Sequence, residues 1–577
     1  MITDQIFRIE HCIEPVDVEQ VIAKESFEKR GKGKFSILIF CLIVLLQLVS
    51  FGQSLTQSSY WVQLKDKNGT AFQLDHPEAF LSQRAIDRRN RQHIVIDETD
   101  LPVSSVYLDS LKKLGLEIVH TSKWLNGLTV RTSDTALIKQ LQALAFVGNV
   151  ELTRPANLLK SVQHKFSDEE VSYDAANYGN AISQLTQLNG QYLHRQGFRG
   201  KGIQIAILDA GFWHVDEIMA FDSLRASNRI LGTHDFVDPK SDIYQQHSHG
   251  MSVLSCMGGN QPNDLIGTAP DASFYLFRSE DTSSEYLIEE DNWVAAAEMA
   301  DSVGVDVINS SLGYYEFEDP KMNHSYSDLD GKSSRATQAA NMAFRKGILV
   351  FNSAGNEGND VWKRIIVPSD GENVIAVGAV DKSGIRASFS SVGPAFGGAV
   401  KPNVVALGSS TYLVTGSEIL GYSSGTSFSS PVLAGMGACL LQSNPYANVS
   451  QLKMAIEQSA HQYSAPDSLL GYGIPDFEKA DNYLKLNFSN DLKSETGFMV
   501  SPNPFSEYLL IENQNQRLGE NCTISIFNLQ GNCLYQSTFK TTAEVLVNNL
   551  SNLPQGMLIL SIRSGGKEER VKLLKIN

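Results

Sequence analysis

Between residues 200 and 490, short apolar runs alternate with longer segments of helical period, and this alternation limits the fold more than any other feature of the chain. Ile203 to Leu208, Val305 to Asn309, Ile348 to Phe351 and Val374 to Val377 are mainly apolar, so strands made from them need cover on both faces. A parallel sheet with crossover helices on each side provides that cover, and the expected fold is a doubly wound α/β domain ending near Leu486.

The rest of the chain reads as separate units, as its 577 residues exceed what one core organises. Residues 1–52 hold a basic group (Lys29, Arg30, Lys32, Lys34) ahead of an apolar run from Phe35 to Val49, the pattern of a signal peptide behind an N-terminal extension. That run is shorter than the roughly 20 apolar residues of a membrane span, so export is expected and stable membrane insertion is not. Residues 53–156 alternate strand-like pieces (Trp61 to Leu64, Leu116 to His120, Leu128 to Arg131, Val147 to Leu152) with helical ones, as in a small α+β domain. The helical parts, Ala79 to Gln92 and Val103 to Leu114, are charged on one face, and Asp134 stands where it caps a third. Polar residues 157–180 form a linker and expected processing region before the α/β domain at 181–487. Residues 488–577 change to a β pattern, with Ile524 and Ile526 interleaved with Thr523 and Ser525, and are expected to form a small β-sandwich.

Composition narrows the partners. A net charge of -16 disfavours nucleic acid, whose binding needs clustered Lys and Arg. Six cysteines without C-x-x-C spacing give neither a zinc site nor a disulfide framework, and Cys256 and Cys439, in apolar helical runs, read as small buried hydrophobes.

Four segments carry chemistry. Strand Ile203 to Leu208 leads into Asp209, a carboxylate at the carboxyl end of a strand, where ligand sites of open α/β sheets form. His249 opens a helix and is followed by Gly250, which removes a side chain that would crowd a substrate or the neighbouring acid; His247 reads as a cap or surface residue. Asn356 lies between Gly355 and Gly358 after a buried strand, either a turn residue or an amide donor to a developing oxyanion. Ser427, within Gly425-Thr426-Ser427, precedes a helix rich in small residues, where free N–H groups and the helix dipole favour negative charge. Serine is also a common N-cap, so each segment alone is ambiguous.

Taken in order, Asp209-Ala210-Gly211, His249-Gly250, Gly267-Thr268-Ala269-Pro270, Asn309 to Gly313, Ala354 to Gly358 and Gly425-Thr426-Ser427 resemble the subtilisin (S8) family of serine peptidases. The resemblance implies a secreted endopeptidase that cleaves polypeptides through an acyl-enzyme, with Asp209, His249 and Ser427 as catalytic triad and Asn356 in the oxyanion hole. It implies substrate contacts at Ser311, Leu312, Gly313, Ala354 and Gly355. Two positions depart from the pattern: Ala210 replaces a hydroxyl residue, and Met251-Ser252 replaces Thr-His. The α+β domain is similar to the family's propeptides, which implies a zymogen. The tail, with Pro502-Asn503-Pro504-Phe505 and Leu553-Pro554-Gln555-Gly556-Met557, resembles the sorting domain of type IX secretion, which implies export through the periplasm by that machinery to the cell surface or beyond.

No cofactor is implied; many members of the family hold structural calcium, but no complete ligand loop is matched here, and the chain is expected to act as a monomer. Two other classes stay open, a metal hydrolase using Asp209, His247 and His249, and an inactive binding module on the same fold.

Overall fold

The computed structural model describes residues 57–156, 178–488 and 498–575, the last without 502, 504, 514–520, 541–543 and 565–566. The expected signal peptide and most of the expected linker lie outside the described residues. No described helix is long and apolar enough to cross a membrane.

The N-terminal domain is an antiparallel four-stranded sheet of β1 (Ser58–Leu64), β2 (Glu117–Ser122), β3 (Gly127–Thr132) and β4 (Val147–Arg154), in the order β2-β3-β1-β4. Helices α1 (Gln83–Arg91), α2 (Ser105–Lys113) and α3 (Thr135–Gln142) accompany it, and Leu111 and Leu141 from α2 and α3 join Val62, Leu64, Leu128 and Val130 of the sheet in one core. Asp134 caps α3, accepting from the Ala136 N–H at 2.8 Å. The first helix begins later than its charge pattern predicts: Pro77–Ala79 form one 3-10 turn, and α1 starts where the Ser82 hydroxyl accepts from the Ala85 N–H.

The central domain has seven parallel strands, β5 (Gln204–Asp209), β6 (Ile230–Asp235), β7 (Ser273–Arg278), β8 (Val307–Ser310), β9 (Leu349–Ser353), β10 (Ile375–Val380) and β11 (Val404–Leu407), in the order β11-β10-β9-β8-β5-β7-β6. From β5 the chain builds β6 and β7 to one side and then β8 to β11 to the other, which places the topological switch beside the carboxyl end of β5. Four helices dominate the faces: α4 (His249–Gly258), α5 (Ile288–Val303), α6 (Arg335–Arg345) and α7 (Thr426–Ser443). Ile205 and Ile207 pack with Leu254 of α4 and Val432 of α7, whereas Ala206 and Leu208 pack with Trp293 of α5 and Ala340 of α6. Side chains alternate along a strand, so Asp209 shares the face of Ile205 and Ile207, the one covered by α4 and α7.

The charged face of α1 is the largest surprise. Arg88 and Arg89 are fully buried and reach across to Asp301 of α5. Arg89 also meets Asp100 at 2.7 Å, Lys123 meets Asp301 at 2.9 Å, and Lys346 of the central domain meets Asp100 at 2.8 Å. Burial alone would raise the Asp301 carboxyl, but the charges of Lys123, Arg88 and Arg89 outweigh it and hold it far below the usual carboxylate range. Beside this cluster, Glu298 accepts from the Ser122 hydroxyl and from the N–H groups of Lys123 and Trp124.

The C-terminal domain consists of a three-stranded sheet (Phe498–Ser501, Leu509–Asn513, Glu544–Val547) and a four-stranded one (Cys533–Lys540, Asn521–Phe527, Gly556–Ser564, Lys567–Lys575), with Val500 and Ile511 sharing a core with Ile524 and Leu560. Asn503 ties the start of this domain to its last strand, donating to Lys572 O and accepting from the Leu574 N–H.

Candidate active site

Strand β5 delivers Asp209 fully buried, and its Oδ1 lies 2.7 Å from His249 Nδ1 and accepts from the Ala210 N–H at 2.7 Å. An ionised carboxylate only accepts, so the proton of this bond sits on Nδ1 and the imidazole presents Nε2 as its basic atom. Helix α4 can approach this closely because residue 250 has no side chain: a Cβ there would stand 2.4 Å from Gly211 O and 2.9 Å from Asp209 Cβ. The sequence reading of Gly250 as relief for the acid agrees with this spacing. His247 acts as a local cap, its Nδ1 accepting from the His249 N–H at 3.1 Å; among the described residues, Asp209, His247 and His249 do not form a metal-binding group.

Ser427 is the second residue of α7, in the first turn, where N–H groups lack intrahelical acceptors. Its hydroxyl donates to Ser311 O at 3.3 Å, and the ring of the next residue, Phe428, lies 5.9 Å from the His249 ring. Pro431 stands four residues on, and without an N–H it leaves the Ser427 carbonyl unbonded within the helix. The Ser311 hydroxyl takes that carbonyl at 2.8 Å, and Asn309 holds Ser311 in turn. Ser311, expected only as a substrate contact, therefore also fixes the start of α7; Pro431 at the i+4 position was the available signal. Lower on α7, Gly435 lets the helix pass Thr268, where an added Cβ would sit 2.1 Å from Oγ1.

Asn356 follows β9 and Ala354-Gly355. Its Oδ1 accepts from both the backbone N–H and the hydroxyl of Thr426, each at 2.9 Å. A backbone N–H can only donate, so the atom facing Thr426 is the oxygen, and the Nδ2 amide is the end left to donate elsewhere. Thr426 further accepts from the Gly355 N–H at 3.2 Å, which joins the Ala354–Asn356 turn to the residue before Ser427. Leu312 and Gly313 continue from β8. The Leu312 carbonyl accepts from Asn352 at 3.0 Å, and Gly313 packs so tightly on Ile366 that a Cβ would lie 2.4 Å from Cδ1.

The arrangement thus holds an acid paired to an imidazole, a hydroxyl at a helix N-terminus and an oriented amide along one lip of the sheet. Cys256 and Cys439 are buried free thiols behind it.

Comparison with known proteins agrees in three places. Residues 200–473 match the family model described as "Subtilase family", residues 59–169 match "Peptidase S8 propeptide domain, Bacteroidota", and residues 499–576 match "Secretion system C-terminal sorting domain". Subtilisin NAT of Bacillus subtilis subsp. natto is 29% identical over 358 residues, covering 61% of this chain and 80% of the relative. A thermophilic serine proteinase of Bacillus sp. (strain AK1) is 32% identical over 276 residues, covering 47% of this chain and 60% of the relative. Among solved structures, an epidermin leader peptide processing serine protease of Staphylococcus aureus superposes with a TM-score of 0.50 at 16% identity, over 74% of this chain and 99% of that one, a likeness of fold.

Proposed function

We propose that this chain, whose central domain belongs to the subtilase family, cleaves polypeptides with Ser427 as nucleophile, His249 as general base and acid, and Asp209 as the carboxylate that orients and stabilises the imidazolium. It is a subtilisin-like serine peptidase with a propeptide and a sorting domain that directs it out of the cell. The Asp209 to His249 contact of 2.7 Å, with both side chains buried, is the observation that carries the assignment of roles.

In the reaction, Ser427 Oγ attacks the scissile carbonyl and His249 Nε2 takes its proton. The peptide C–N bond then breaks as the imidazolium protonates the leaving amine, leaving an ester on Ser427. Water, deprotonated by the same imidazole, hydrolyses that ester. Asn356 Nδ2 and the Ser427 N–H donate to the oxyanion of each tetrahedral intermediate; the first is aimed by Thr426 and the second lies in the first turn of α7. Substrate backbone pairs beside Ser311 to Gly313, a mode in which main-chain bonds set affinity and sequence preference stays loose. The Leu312 carbonyl is engaged by Asn352, so this pairing falls to Gly313 and to Ser311 O, which the Ser427 hydroxyl releases as it turns to the substrate. The type IX machinery reads the sorting domain, and the mature enzyme works as a monomer.

The test compares wild type with Ser427→Ala and Asn356→Ala. Ser427→Ala should abolish casein hydrolysis and, if the enzyme removes its own propeptide, that processing as well. Asn356→Ala should lower kcat by about 100- to 1,000-fold, the loss seen on removing one oxyanion donor from serine peptidases, in a protein that still folds although Thr426 loses the acceptor of its N–H and hydroxyl, at about 1–3 kcal/mol of stability. Casein hydrolysis by purified Ser427→Ala would overturn the assignment.

A further inference from the structure

Away from the triad, three glutamates converge between two loops that leave the sheet beside β5. Glu280 follows β7 by two residues, Glu289 lies in the first turn of α5, and Glu285 stands in the loop between them. The Ser279 N–H donates to Asp209 O at 2.9 Å, so this loop starts at the strand end that carries the triad acid. Each glutamate offers an oxygen within 4.8 Å of the oxygens of the other two, and Glu280 and Glu289 are only 4% and 1% exposed.

A second observation comes from the opposite loop. Tyr314, just beyond Ser311 to Gly313, is fully buried, and its hydroxyl makes no hydrogen bond. Burial, and then the negative charges of Glu280, Glu289 and Glu285, with Glu290 beyond them, push its ionisation well above the usual phenol range, which sets this hydroxyl in the field of the same carboxylates. Glu290 itself is engaged by His324 and Ser334.

We propose that Glu280, Glu285 and Glu289, with the Tyr314 hydroxyl beside them, bind a calcium ion that clamps the β7–α5 loop. Calcium takes oxygen ligands at about 2.3–2.6 Å, so oxygens on opposite sides of one ion stand roughly 4.6–5.2 Å apart, and three oxygens within the observed span fit a single ion. The donors are all oxygen, with neither imidazole nor thiolate, which suits a hard cation over zinc. Magnesium demands a tighter octahedron at about 2.0–2.1 Å and gives up its waters reluctantly. Bound there, the ion ties the end of β7 to the start of α5 and stiffens one wall of the cleft. The site uses neither Ser427 nor His249, so it stands or falls apart from the peptidase reading.

The test uses the full-length chain carrying Ser427→Ala, stripped with EDTA and desalted. Terbium should bind and give emission sensitised by excitation of tyrosine, calcium should displace it, and 1 mM calcium should raise Tm by roughly 5 °C for a site with a Kd of about 10 μM. Glu280→Gln together with Glu289→Gln should remove both effects. Should that pair fail to fold, Glu285→Gln, at the partly exposed ligand, should weaken terbium binding at least tenfold. Equal terbium binding and an equal calcium shift in wild type and variants, or no calcium effect on either, would overturn the site. So would the same glutamate variants made in the chain that keeps Ser427, if they change only the preference for Lys or Arg in peptide substrates, since the carboxylates would then serve a basic substrate side chain.

Discussion

The cleft and the surface that receives the propeptide are both built from buried polar groups, yet in opposite ways. Among the described residues, the cleft pairs the Asp209 carboxylate with the His249 imidazole and surrounds them with small neutral donors and acceptors such as Ser311, Asn356 and Thr426. The propeptide surface instead gathers Arg88, Arg89 and Lys123 around Asp301, with Asp100 and Lys346 completing the cluster. Neutral hydrogen bonds can be exchanged for substrate at modest expense, whereas separating buried charges is costly unless each regains water or a partner. The first arrangement suits turnover and the second suits a contact that holds until covalent cleavage frees it.

Breaking the charge cluster is the most severe test of that contrast. Asp301→Ala leaves three cations without their shared carboxylate, and removal of one partner from a buried pair costs about 3–5 kcal/mol, or roughly two to four orders of magnitude in docking. In full-length Ser427→Ala protein, amide exchange in α1 and along β2 and β3 should speed up accordingly. Unchanged protection there would mean that apolar packing, not charge, holds the propeptide.

Gly250→Ala tests the other side. The added Cβ meets Gly211 O and Asp209 Cβ, neither at the end of a flexible side chain, so α4 must shift and carry His249 with it. A displacement near 1 Å at a catalytic group costs about 100-fold, so kcat/KM should fall by that order while propeptide protection stays as in wild type.

These two regions also differ in how far they can be read from sequence. The proposed triad and oxyanion residue stand in short local patterns, such as Gly425-Thr426-Ser427, and strand parity then explains why Asp209 faces α4 and α7. The alternating apolar runs likewise mark four of the seven central strands, with ends shifted by one to three residues, and leave β6, β7 and β11 unnamed. Arg88 and Asp301 lie 213 residues apart, and nothing local marks either as buried. An arginine-rich helix face reads as solvated until the partner surface is known. Pro431 was visible in the sequence, but its consequence for the Ser427 carbonyl needed the position of Ser311.

A subtler handle on the propeptide surface is His120 on β2, whose Nε2 lies 2.9 Å from Phe236 O and 3.0 Å from Asn292 Oδ1 of the central domain. Burial lowers its ionisation from the ordinary 6.5 to about 4, a shift only partly offset by those two bonds and reinforced by the nearby charges of Arg131 and His234. Between those two values an undocked propeptide takes up a proton that the docked one does not. Docking is therefore strongest above pH 6.5 and weakens as pH falls toward 4. His120→Gln should flatten this part of the pH dependence, measured as propeptide exchange rates at pH 7 and pH 5. The carboxylates titrate in both proteins and cancel in the comparison, so identical pH profiles would remove His120 from the contact.

The smallest effect should come from the rim of the same surface. Arg91 pairs with Asp306 at 3.3 Å; its side chain is 36% exposed, and the buried Asp306 keeps Arg84 as a partner when Arg91 is removed, so the contact is worth about 0.2–1 kcal/mol, as for exposed pairs. Arg91→Ala should thus change propeptide protection less than fivefold. Its value lies in salt: the Debye length falls from about 10 Å at 0.1 M to about 3 Å at 1 M, which screens exposed charges and leaves buried ones largely untouched. If the Arg88, Arg89 and Asp301 cluster carries the contact, raising NaCl to 1 M should weaken docking in wild type only slightly, by about the amount that Arg91→Ala removes at low salt. The variant should then show still less response to salt. A steep salt dependence that survives in Arg91→Ala would place the holding charges at the solvent boundary and erase the distinction between this surface and the cleft.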